Sequence, residues 1–119
     1  MQTFLPGTQY VLGNRLDLPL KECEERNLAF SMASDYNPNC PSLSIPFVGS
    51  LAVHRMGLDP LTALVSVTRN PGTTLSQNIE KHNGTIEIGR SSSILVLPSE
   101  NVESWVSSFG TMNNLQMIN

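Results

Sequence analysis

Leu28-Ala-Phe-Ser-Met-Ala-Ser-Asp-Tyr-Asn-Pro-Asn-Cys-Pro41 decides how the remainder of the chain is read. Residues 28–33 are mostly apolar and read as a buried strand; Asp35 follows, trailed by Asn37, Asn39 and two prolines, Pro38 and Pro41. A strand that ends in a polar, backbone-restricted loop delivers reactive side chains to the carboxyl edge of a parallel sheet in α/β enzymes. The same residues also make an ordinary turn, because short polar side chains bond their own backbone and proline fixes φ. Pattern by itself favours the turn and leaves Asp35 as the first candidate for chemistry.

Upstream, Gln2 to Pro6 reads as a brief strand that Pro6-Gly7 breaks into a loop through about Asn14. Asp17 is placed to cap a helix with Pro19 in its early turn; Leu20, Cys23 and Leu16 form its apolar side, Lys21, Glu22, Glu24 and Glu25 its wet side, and it ends near Asn27. Strand, helix and strand with short joints make a right-handed βαβ unit with parallel strands.

Downstream, Pro46 opens a helix in which Phe47, Val48, Leu51, Ala52 and Met56 recur at three- and four-residue steps until Gly57 stops it. Asp59-Pro60 is a second start signal, with Leu61, Leu64, Val65 and Thr68 sharing a face, and Asn70-Pro71 repeats that signal for a short helix to about Leu75 or Gln77, before a polar turn at Lys81 to Asn83. Gly84 to Gly89 and Ser93 to Leu97 read as two short strands or as a turn and a strand. Glu100 to Phe109 carries Val102, Trp105, Val106 and Phe109 at helical spacing, and Leu115 to Ile118 is a last candidate strand.

With 119 residues, 39% of them hydrophobic, the chain has one domain's worth of core, yet it is less than half of the roughly 250 residues of a complete (β/α)8 barrel. Charged residues make up 14%, the net charge is −3, and no basic stripe exists to neutralise phosphates, which argues against nucleic acid and acidic membranes as partners. Cys23 and Cys40 lack the spacing of a metal knuckle or redox pair, and with no signal peptide or long apolar run the chain reads as cytoplasmic with reduced thiols. Asn83-Gly84-Thr85 matches a glycosylation sequon and in that compartment reads as a turn. His54 and His82 are isolated, without ligand spacing, and read as surface or capping histidines.

Five segments, taken in order, carry a family resemblance: Leu5-Pro6-Gly7; Met32-Ala-Ser-Asp-Tyr-Asn-Pro-Asn39; Asp59-Pro-Leu-Thr-Ala-Leu64 with Thr68-Arg-Asn70; Gly84-Thr-Ile-Glu-Ile-Gly-Arg90; and Phe109-Gly110. Together they resemble the carboxyl-terminal part of the imidazolonepropionases, a family of the metal-dependent amidohydrolase superfamily. The resemblance implies an α/β fold, a partial TIM barrel made of the last two β/α units (residues 1–83), followed by short carboxyl-terminal β elements of a small β domain (residues 84–119). It implies that Asp35 is both metal ligand and general base, holding a water on Zn2+ or Fe, and that Asn37, Asn39 and Cys40 touch the substrate. Cys40-Pro41 stands where the family usually has small hydroxyl or glycine residues.

The implied activity is opening of the 4-imidazolone-5-propanoate ring to N-formimino-L-glutamate in histidine degradation. The family's metal-binding histidines and its propanoate-holding arginine all precede the strand at which this chain begins, so the chain alone is expected to be inactive unless the missing ligands are supplied. Uncovered barrel surfaces are expected to bind the rest of the enzyme or to self-associate. The competing reading is a non-catalytic truncated fragment or a protein-interaction module, in which the Trp105 and Phe109 face is an exposed partner site, though packed core is the commoner meaning of such a stripe.

Overall fold

The computed structural model describes residues 1–75, 84–90, 94–97, 101–110 and 116–118. In chain order these form β1 (Gln2–Phe4), α1 (Pro6–Val11), α2 (Leu20–Glu25), β2 (Phe30–Met32), α3 (Ile45–Met56), α4 (Pro60–Val67), α5 (Arg69–Leu75), β3 (Ile94–Val96), α6 (Ser104–Ser107) and β4 (Gln116–Ile118). The arrangement is mixed α/β. β1 and β2 pair in parallel, Gln2 against Phe30 and Phe4 against Met32, and β3 pairs antiparallel with β4.

Helices cover all three residues of β2 and the Phe4 end of β1, whose Gln2 and Thr3 stay exposed. Phe4, Phe30 and Met32 are buried with Leu20 of α2, Val48 and Ala52 of α3 and Ala63 of α4. The Phe4 and Phe30 rings meet edge to face with centroids 5.8 Å apart, the geometry that the aromatic quadrupole favours. Ser31, buried in β2, bonds across the strands to the exposed Thr3, Oγ to Oγ1 at 2.6 Å.

α3 ends and α4 starts at the residues that the spacing identifies, Gly57 and Asp59, while α3 opens at Ile45, one residue ahead of Pro46, behind a serine cap. Ser44 Oγ accepts the Phe47 N–H at 3.2 Å, and Gly57 closes α3 in the left-handed region at φ 72°, where a glycine meets no Cβ penalty. Gly57 N–H then reaches Val53 O and Leu58 N–H reaches Ala52 O, both at 3.1 Å, which satisfies carbonyls that the helix end leaves open. Asp59 Oδ1 accepts the N–H groups of Leu61 at 2.9 Å and Thr62 at 3.1 Å, with Pro60 in the first turn.

Elsewhere local chemistry departs from the expected pattern. Residues 6–11 are helical, not a loop: proline suits the first helical position, and Gly7 is buried against Val48 and the Ser34 carbonyl. Asp17 does not cap α2. Two residues on stands Pro19, which has no N–H, and the Leu20 N–H already donates to Leu18 O at 2.8 Å. Asn70 sits inside α5 and not ahead of it; its Nδ2 donates to the Phe30 carbonyl at 2.7 Å and so braces β2. On α4 the buried residues are Ala63 and Ser66, while Leu61 stays 57% exposed, so the face lies a turn's fraction away from the one expected. Residues 84–90 form bends and turns, and α6 is confined to Ser104–Ser107, with Trp105 and Val106 buried and Val102 and Phe109 exposed. The expected polar turn at Lys81 to Asn83, His82 with it, and the ends at Gln77, Glu100 and Leu115 lie outside the described residues.

α2 is tied to α4 by a carboxylate. Glu24 Oε1 accepts the Asp59 N–H at 3.1 Å, and Glu24 also pairs with Lys21. Burial alone would push the Glu24 carboxyl up, but hydrogen bonds from Lys21, Thr62 and the Asp59 N–H outweigh it and hold the group below the ordinary carboxylate value. A depressed folded-state value means that its stabilisation is complete above the unfolded-state value and is lost as pH falls through the folded one. Urea midpoints of the wild type should therefore drop more steeply below pH of about 4.5 than those of Glu24→Gln, with the two curves parallel near neutrality. Among the described residues no helix is long and apolar enough to cross a membrane.

Candidate functional site

Parallel pairing puts the carboxyl ends of β1 and β2 at one edge, and the residues that follow each strand meet there. The ladder continues one step past β2, with Ala33 N–H donating to Phe4 O at 3.1 Å. The chain then turns at Asp35, whose φ of 51° is left-handed, a region that asparagine and aspartate tolerate better than other side chains with a Cβ. After β1, α1 begins at once and presents Thr8 in its first turn. Thr8 Oγ1 donates to Asp35 Oδ2 at 2.9 Å, joining the two strand ends.

Asn37 organises the loop. Its Nδ2 donates to the Asp35 carbonyl at 2.6 Å and to Asp35 Oδ2 at 3.3 Å, while its Oδ1 accepts the N–H groups of Asn39 at 2.9 Å and Cys40 at 3.2 Å. Backbone bonds in both directions between Asn37 and Cys40 close the turn. Cys40 is fully buried with its Sγ 3.8 Å from Ser34 O, whereas Asp35, Tyr36 and Asn39 are exposed. The ordinary-turn reading and the chemical reading thus coexist: Asn37 makes the turn, and the turn holds out a carboxylate.

Of the four residues singled out from sequence, Asp35 and Asn39 face solvent, Asn37 has its amide engaged within the loop, and the Cys40 thiol faces inward. Thr8 was not among them. Its signal was available, since a hydroxyl just past the first of two parallel strands is bound to lie near whatever follows the second. The structure also has an open cleft of about 420 Å³ lined by Tyr10, Gly13, Asn14, Arg15, Leu16 and Arg55, which includes none of the loop residues.

The described residues do not by themselves assemble a metal centre. Among the described residues no three histidine, cysteine, aspartate or glutamate side chains converge, and His54 lies exposed in the last turn of α3. A single carboxylate does not fit an ion that takes about four ligands.

No family model matches the chain. Curated relatives do. Imidazolonepropionase from Symbiobacterium thermophilum is 32% identical over 94 residues, which is 78% of this chain and 22% of that protein. Imidazolonepropionase from Syntrophobacter fumaroxidans is 37% identical over 94 residues, again 78% and 22%, and that from Treponema denticola is 29% identical over 107 residues, 89% and 25%. The chain therefore spans about a quarter or less of the length of these relatives.

Proposed function

We propose that this chain, a relative of imidazolonepropionase that corresponds to that protein's carboxyl-terminal part, supplies the Asp35 side of a hydrolase that opens 4-imidazolone-5-propanoate to N-formimino-L-glutamate in histidine degradation. In this reading β1 and β2 are the last two strands of an amidohydrolase TIM barrel, residues 84–119 belong to a small β domain, and the protein works in the cytoplasm. The observation that carries the reading is the placement of Asp35 just beyond the carboxyl ends of two parallel strands, held there by Thr8 and Asn37.

The reaction adds water across a ring C–N bond. A carboxylate in reach of the attacking water takes its proton as the new C–O bond forms at the ring carbonyl carbon, and the departing ring nitrogen takes a proton as the C–N bond breaks. Asp35 has the charge and the exposure for the first task. Asn39, exposed beside it, offers a donor and an acceptor to the substrate, and Asn37 and Cys40 shape the loop that presents both. The family's Zn2+ or Fe would need its remaining ligands from the rest of the enzyme.

Complementation tests the proposal. The chain is mixed with the remaining portion of the Symbiobacterium relative, and metal content and ring opening are followed by elemental analysis and loss of ultraviolet absorbance. Expected are no turnover by the chain alone, turnover with bound metal on mixing, and a loss of about 1,000-fold in Asp35→Asn. A mixture that associates and holds metal but opens no ring would leave the truncated-fragment reading standing.

A further inference from the structure

The two oxygens of Asp35 are not equivalent. Oδ2 accepts from Thr8 Oγ1 at 2.9 Å and from Asn37 Nδ2 at 3.3 Å, while Oδ1 has no partner among the described residues. The Asn37 bond is the longer of the two, and Asn37 belongs to the same loop as Asp35, so it turns with that loop. The Thr8 bond comes from another element, the first turn of a helix anchored by β1, and spans 27 positions of sequence. A hydroxyl fixed to the scaffold selects one carboxylate rotamer; an amide inside the loop cannot do this alone.

We infer that Thr8 is a positioning residue: by occupying Oδ2 it sets the side-chain rotamer of Asp35 and leaves Oδ1 as the oxygen offered to the substrate's water. This rests on the hydrolase reading for its purpose but not for its geometry. Preorganised groups on rigid elements avoid reorganisation at the moment of reaction, which is what a strand-anchored hydroxyl supplies to a loop carboxylate. Because the pair is exposed, its contribution to global stability is small, and a stability measurement would miss its role.

Three-bond couplings to the Asp35 side chain, measured by NMR on the chain as it exists, test the geometry. The wild type and Thr8→Ser should each show a single χ1 rotamer, and Thr8→Val, nearly identical in shape, should show averaged couplings with its thermal midpoint barely moved. Averaging in the wild type, or a single rotamer in Thr8→Val, overturns the inference. In the complemented enzyme, Thr8→Val should lower kcat about tenfold with KM unchanged, and Thr8→Ser should restore it; an unchanged kcat in Thr8→Val overturns the role. Rotamer effects as expected in a complemented enzyme that hydrolyses nothing would instead defeat the hydrolase reading and leave the positioning intact.

Discussion

Replacing Trp105 with alanine should cost about 3–5 kcal/mol, the usual range for losing a buried tryptophan, and urea denaturation should show it as a large drop in midpoint. The ring is 3% exposed and lies on bare backbone: a Cβ built on Gly49 would sit 2.2 Å from its Cη2 and 2.6 Å from its Cζ3. The indole N–H is directed at the Pro60 carbonyl, 3.4 Å away, so this single side chain joins α6 to both α3 and the start of α4. Gly49→Ala tests the fit. An alanine is worth about 1 kcal/mol more than glycine in a helix interior, yet here the intruding methyl should leave the protein less stable, because overpacking costs about 1–3 kcal/mol. In a Trp105→Ala background the same substitution should become neutral or stabilising. A loss below about 1 kcal/mol for Trp105→Ala would contradict the packing described.

Leu20→Ala should rank next, at about 2–5 kcal/mol in the same assay. α2 is only six residues long, has no side-chain cap at Pro19 and would not persist by itself. What holds it is Leu20, whose exposure is 0%, set into the core beside Phe4 and Phe30. The reach of the loss is checkable: once α2 is loosened, Glu24 leaves the Asp59 N–H, and the acid-side dependence on Glu24 should fade in the Leu20→Ala variant. A Leu20→Ala protein that keeps that dependence would show that α2 is anchored by something else.

The sequence made legible those features whose causes are local. Gly57 and Asp59 act through bonds to residues a turn away, so their positions alone announce where α3 ends and α4 begins, whereas the Ser44 cap ahead of Pro46 goes unread. The parallel pairing of β1 and β2 was legible because a strand, a helix and a strand with short joints have few other solutions. Asn70 was misread because its partner, Phe30 O, is 40 positions away and nothing near Asn70 foretells it. α1 is hidden behind Pro6-Gly7, residues that usually break structure but here stand in the first turn of a helix. At the site, Asp35 stood out by its place after a strand, whereas Thr8 depends on a contact between two strand ends, and the inward turn of the Cys40 thiol depends on packing against Ser34.

The left-handed backbone at Asp35 also narrows what drift can do at this position. Aspartate, asparagine and glycine are the residues that adopt a φ near 51° at little cost, and of these only aspartate is charged. Asparagine or glycine at position 35 would keep the backbone of the turn and lose the carboxylate that Thr8 and Asn37 hold. The backbone therefore asks for a small polar residue or glycine here, and the charge is something it does not require.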